Sequence, residues 1–310
     1  MSMMGGGEFK SAAWTAPKAA IVCGIVREFA IVGCARRFCM GGQRLGTWAR
    51  YRGRSAILGC AALLTILSWQ QVQAVSSEEL DDASARVEYA FYTSDTRSLE
   101  AVLQMIERLE MDDPLVSMQH YYAAFGYWKL AQLYSEQAAQ GRKGARGLAD
   151  RAGDACSEHA AAALQRDGRM FEAQALKAAC SRFGLGARVG DLASAAGCSR
   201  HKSLRTAQAA DPKNPRIRLI GAWCAADKAR AGSKAVLDKA QAAVTAYEAS
   251  PVNLPGAPNW GEPEALVLLG QVYLERGDAL AARDLLEQAL VIAPDYRKAQ
   301  ELLGAMSRPH

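Results

Sequence analysis

The sequence predicts an all-α protein built from stacked antiparallel helical hairpins, and three observations carry that expectation. From Val75 onward, apolar residues recur at three- and four-residue spacing, as in Leu99, Leu103, Ile106 and Leu109, which is the period of one helical face. Alternating runs rich in Val, Ile and Thr are nearly absent after residue 75, so nothing supports a sheet. Short polar or Pro/Gly segments punctuate the helical stretches at Asp112-Asp113-Pro114, Gly141–Gly144, Asp167-Gly168, Gly184–Gly190, Asp211-Pro212 with Asn214-Pro215, and Ala249–Pro263. Helices of about 12–22 residues between such breaks pack as hairpins.

At 310 residues, half of them hydrophobic, the chain is long enough to bury a sizeable core. Its formal charge of +5 is unevenly distributed. Residues 1–74 hold nine Lys/Arg and two acids, leaving 28 basic and 30 acidic residues from Val75 onward. The body is therefore close to neutral and has no basic stripe for a phosphate backbone, which argues against nucleic-acid binding.

The basic excess flanks an export-like leader. Arg50, Arg52 and Arg54 precede the apolar run Ala56–Leu67, followed by Val72-Gln73-Ala74 and then the acidic Glu78-Glu79. A basic segment, an apolar segment of about twelve residues and small residues before the cut make a secretory signal peptide. The run is shorter than the ~20 residues of a membrane span. Cleavage is expected after Ala74, which places the mature chain in the periplasm or outside the cell. An uncleaved inner-membrane anchor is the competing reading. Residues 1–54 are read as an unstructured or mis-assigned leader, with Met40 a candidate start, and 55–74 as the signal-peptide region.

One segment carries an internal repeat signature. In the stretch after Pro263, Leu266, Leu269, Gly270, Tyr273, Ala282, Leu286, Ala289 and Pro294 stand at fixed offsets. Small residues stand where two helices cross, Tyr273 and Leu286 fill the space beside them, Gly277-Asp278 makes the turn, and Pro294 stops the second helix. This segment resembles a tetratricopeptide repeat. The resemblance continues more weakly through Ile217, Ile220 and Gly221, and through Met118–Tyr134 and Phe171–Cys180 as first helices of degenerate repeats. The order of a Tyr-Tyr-rich helix, a middle hinge, Pro-Asn-Trp-Gly-Glu-Pro-Glu-Ala and the last repeat is similar to exported bacterial tetratricopeptide proteins of unknown role, over about residues 205–306. The resemblance implies a right-handed superhelix, or solenoid, whose first helices line a concave protein-binding surface. The expected organisation is degenerate hairpins over 75–248, a Pro-rich connection over 249–262 anchored by Trp260, the repeat over 263–296, and a closing helix and tail over 297–310.

Four of the eight cysteines lie in the body, in duplicated units. Cys156-Ser157-Glu158-His159 precedes Cys180 by 24 residues, and Cys198-Ser199-Arg200-His201 precedes Cys224 by 26. Each pair straddles a turn nearly symmetrically, and residues equidistant from the turn of a helical hairpin face each other within reach of a disulfide. An oxidising compartment then favours Cys156–Cys180 and Cys198–Cys224. Two alternatives stay open: reduced cysteines packed in the core, and a zinc or copper site using Cys-x-x-His with a third ligand. The expectation is no metal and no cofactor.

Tyr121, Phe125 and Trp128 fall on one helical stripe. They face the groove if Met118–Tyr134 is a first helix, and otherwise pack between hairpins. Arg218 and Gln271 occupy corresponding concave places. No phosphate loop, Ser/His/Asp order, His-Glu-x-x-His or paired carboxylates appear, so the chain is read as a non-enzymatic scaffold. The expected partner is a protein or peptide, in a cell-envelope assembly, with no small-molecule substrate and with membrane contact only through an uncleaved leader. A metal-binding or thiol-redox protein, or a membrane-tethered scaffold, is the alternative.

Overall fold

The computed structural model describes residues 78–183, 198–226, 232–250 and 258–307. All of them belong to the unit Cys60–His310. The leader, the Gly184–Gly190 break and residues 251–257 of the Pro-rich connection lie outside the described residues.

The described chain is all-helical. Helix α1 covers residues 78–92, and α2 (Thr96–Arg108) follows a tight turn. Asp95 starts α2 because its carboxylate accepts hydrogen bonds from the Arg97 and Ser98 amides, each at 3.1 Å. Next comes α3 (Asp113–Ala139), with Pro114 in its first turn. The Gly141–Gly144 turn leads to α4 (Ala145–Arg166), and Asp167-Gly168 separates α4 from α5 (Phe171–Cys180). A 3₁₀ turn at Cys198–Arg200 precedes α6 (Lys202–Ala210) and α7 (Pro215–Ala226). The chain continues with α8 (Lys234–Glu248), α9 (Glu262–Glu275), α10 (Ala279–Ile292) and α11 (Arg297–Met306).

Helices adjacent in sequence pack on one another almost throughout, from α2 on α3 to α10 on α11. At 27 residues α3 exceeds the expected helix length, while α5 and α6, of 10 and 9 residues, fall short of it. The reason is packing: Tyr121 through Gly126 are six consecutive buried residues. Neighbours on every side support α3, so its length does not depend on one amphipathic stripe. Between α9 and α10 the crossing is close. A Cβ on Gly270 would lie 3.2 Å from Leu286 Cγ and 3.4 Å from the Ala282 carbonyl oxygen. Asp278 caps α10 by accepting from the Ala281 amide at 3.1 Å.

Both cysteine pairs are bridged. Cys156 on α4 is bonded to Cys180 at the end of α5 across a Cα separation of 5.6 Å, and Cys198 to Cys224 on α7 across 5.3 Å. Cys198 stands in the 3₁₀ turn before α6, because α6 is too short to reach it. Loops of this size contribute about 3.5 kcal/mol per bridge in the chain-entropy account. Among the described residues, no helix is long and apolar enough to cross a membrane.

Candidate functional site

Trp260, just before α9, meets Tyr121 and Phe125. Glu264, four residues later, meets Lys129 further along α3. The Trp260 indole N–H donates to Tyr121 Oη at 2.8 Å, and its ring stacks on Phe125 with centroids 4.5 Å apart. The Trp260 carbonyl accepts from Tyr247 Oη at 3.0 Å, which ties α8 to the same point. Gly261 makes this possible with φ +108°, a left-handed conformation in which a Cβ would sit 2.1 Å from Tyr247 Oη.

Two polar networks surround that junction. In the first, Tyr121 Oη donates to Glu172 Oε2 at 2.5 Å, and Glu172 Oε1 accepts from Arg216 and from Asn214 Nδ2, both at 2.8 Å. In the second, Lys129 Nζ donates to Glu264 Oε1 at 2.7 Å, while Tyr92 Oη donates to Glu264 Oε2 at 2.9 Å. Lys129 is 1 % exposed and Glu264 8 %. The ammonium also lies 4.3 Å from the centre of the Phe91 ring and 4.4 Å from that of Trp128. A buried charge persists only with such partners.

The surroundings displace several protonation equilibria. Burial, with the nearby Glu264 carboxylate, pushes Glu88 up to about 8, although Lys129 opposes this. Burial likewise raises the Tyr92, Tyr121, Tyr247 and Tyr296 phenols well above their usual range. Burial works against the Arg216 charge, but the Glu172 carboxylate outweighs it and raises its pKa.

Over the Lys129–Glu264 pair opens a groove of about 140 Å³. Its walls include Trp128 and Gln132 of α3, Trp223 of α7, and Val267, Leu268 and Gln271 of α9. Trp128 and Trp223 meet edge to face with centroids 5.5 Å apart. At the rim, Lys298 lies 3.8 Å from Glu136.

The structure distributes the expected site residues between core and groove. Tyr121, Phe125 and Trp128 are all buried in the core around Trp260, Trp128 also reaching the groove, and Gln271 stands on the groove wall. Arg218 lies away from the groove and donates to the carbonyls of Pro212 (2.7 Å) and Ala242 (3.1 Å), joining the α6–α7 turn to α8. The four body cysteines are held in the two bridges. Of the paired histidines, His201 accepts the Ser203 amide at 3.2 Å and caps α6. His159 faces His120 of α3 with Nδ1 atoms 3.0 Å apart, and its Nε2 lies 3.5 Å from Glu107, whose carboxylate accepts from Tyr127 Oη at 2.6 Å. Burial, and then the proximity of His159, lowers the His120 pKa. Among the described residues, no group of three or more His, Cys, Asp or Glu is gathered in a metal-holding arrangement.

Sequence reasoning passed over Lys129, Gln132, Glu172, Arg216 and Trp223. Lys129 had a signal: it is a lone cation in the apolar run Tyr121–Leu133, where an unpaired charge is rarely tolerated. Compared with protein-family models, curated proteins and solved structures, the chain matches none.

Proposed function

We propose that the chain is an exported, tetratricopeptide-like scaffold, a right-handed superhelix of hairpins, that holds a protein partner in the groove between α3, α7 and α9. The observation that carries this reading is the groove itself, walled by helices from three separate hairpins over a fixed ionic floor. The eight-place pattern over Leu266–Pro294 supports the repeat assignment. The two bridges are compatible with an oxidising, extracytoplasmic compartment. They also occupy the thiolates that a Cys-based metal site requires.

The test uses the chain from Val75 as bait in envelope extracts, beside Leu268→Lys and Leu280→Arg. Leu268 lines the groove, and a lysine stem there keeps much of the apolar contact while placing a charge in the site. Leu280 is 74 % exposed, outside the groove, and serves as control. A partner retained by Leu280→Arg and lost by Leu268→Lys is the expected result. Identical capture by both variants refutes the groove as the binding site.

A further inference from the structure

We infer that the groove recognises an extended, uncharged peptide segment of its partner through that segment's backbone, a claim that rests on the groove reading above. The observation is a mismatch in how the lining groups are satisfied. Every charge at the groove has an internal counterpart: Lys129 pairs with Glu264 on the floor, and Lys298 with Glu136 at the rim. The neutral polar groups do not. Gln132 Nε2 and Trp128 Nε1 have no hydrogen-bond partner among the described residues, and neither does the Gln271 amide. Trp128 is 2 % exposed, so its N–H is a buried donor with nothing to donate to.

Those groups stand on two walls of one groove. A primary amide offers one acceptor and two donors, matching the C=O and N–H of a peptide unit. A charged segment finds no unpaired countercharge in this groove, and burying it there costs more than burying a neutral one. The Trp128–Trp223 corner and Leu268 leave room for an apolar side chain of the segment.

The experiment selects peptides from a displayed library of random dodecamers on the chain from Val75. Dissociation constants are then measured for the enriched sequences on the wild-type chain and on Gln132→Ala, Gln271→Ala and Leu268→Lys. We expect uncharged, apolar-centred sequences, bound about 2- to 13-fold more weakly by each Gln→Ala variant. Backbone N-methylation of the central peptide units should weaken binding comparably, and an unchanged circular dichroism melt shows that each variant folds. Enriched peptides blocked by Leu268→Lys but indifferent to both Gln→Ala changes, or carrying charged centres, overturn backbone recognition and leave the groove reading standing. No enrichment, or equal binding to Leu268→Lys, overturns both.

Discussion

Replacing Lys129 with Met keeps the side-chain stem and removes the charge, so it isolates the ionic floor of the groove. In the structure Lys129 and Glu264 are 1 % and 8 % exposed and 2.7 Å apart. Losing the ammonium strands a buried carboxylate beside Glu88, a cost of about 3–5 kcal/mol. For a chain of this size that lowers the melting temperature by roughly 6–20 °C, at about 2–4 °C per kcal/mol. Glu264→Leu strands the ammonium instead and costs a similar amount. The double variant Lys129→Met/Glu264→Leu strands neither charge, so it should recover about 3 kcal/mol or more relative to the summed single effects. The pH dependence separates the two singles. Acidification supplies a proton to the carboxylate stranded by Lys129→Met, so that variant's deficit shrinks at pH 5, whereas the deficit of Glu264→Leu does not. Urea unfolding followed by circular dichroism at both pH values measures all of these quantities. Single effects that add within about 0.5 kcal/mol would refute the coupling.

Four further outcomes follow. The chain from Val75 should show no thiol reactive toward an alkylating reagent until it is denatured and reduced, after which four appear, and Cys156→Ala/Cys180→Ala should cost about 3.5 kcal/mol. A mass count showing free thiols in the native chain contradicts the bridges. Glu88 carries a folded pKa raised from 4.5 to about 8, so the folded state holds its proton more tightly than the unfolded chain. Its contribution to stability therefore falls as pH rises from about 4.5 to about 8, and Glu88→Gln should flatten the melting profile over that window. His120 is depressed below 6.5, so its contribution is present above that pH and lost below it, and His120→Gln should soften the acid limb of the same profile. Gly261→Ala combines a φ of +108° with a Cβ 2.1 Å from Tyr247 Oη, and should cost about 2 kcal/mol or more in urea unfolding.

Much of the architecture was legible because its signals are local. Pro and Gly at Asp112–Pro114, Gly141–Gly144 and Asp211–Pro215 interrupt helices through their own backbone restrictions, and the structure breaks there. The cysteine pairs were legible for a related reason. A hairpin converts equal distance from a turn into proximity in space, and for α4 and α5 this geometry holds directly. It is looser for Cys198, which reaches Cys224 from the turn before α6.

What stayed illegible depends on contacts between residues far apart in the chain. Nothing around Trp260 announces that it lies on Phe125 and bonds Tyr121, 139 residues earlier. Tyr121, Phe125 and Trp128 share one face of α3 by their spacing. That the whole stripe is core, however, is decided by where Trp260 docks, since it meets all three rings. Likewise, Cys156-x-x-His159 places two ligand-type residues on one helical turn, but spacing alone does not say what faces each of them. The cysteine meets Cys180, and the histidine points to His120.

The buried ionic and aromatic contacts bear on the groove in a way that a hydrophobic seam does not. Apolar side chains tolerate small slides between helices, whereas the Lys129–Glu264 bond, the Tyr92–Glu264 bond and the Trp260–Tyr121 bond each fix a register and a distance between α9 and the N-terminal helices. The walls carrying Gln132 and Gln271 are then held at a set separation before any partner arrives, which reduces the ordering cost of binding. Stability and this positioning are separable. Lys129→Met/Glu264→Leu should regain most of the stability lost by either single change while releasing the register of α9 against α3. If the polar contacts serve to set the groove, that stable double variant should bind selected peptides more weakly than the wild type. If they serve only to hold the core together, its affinity should match.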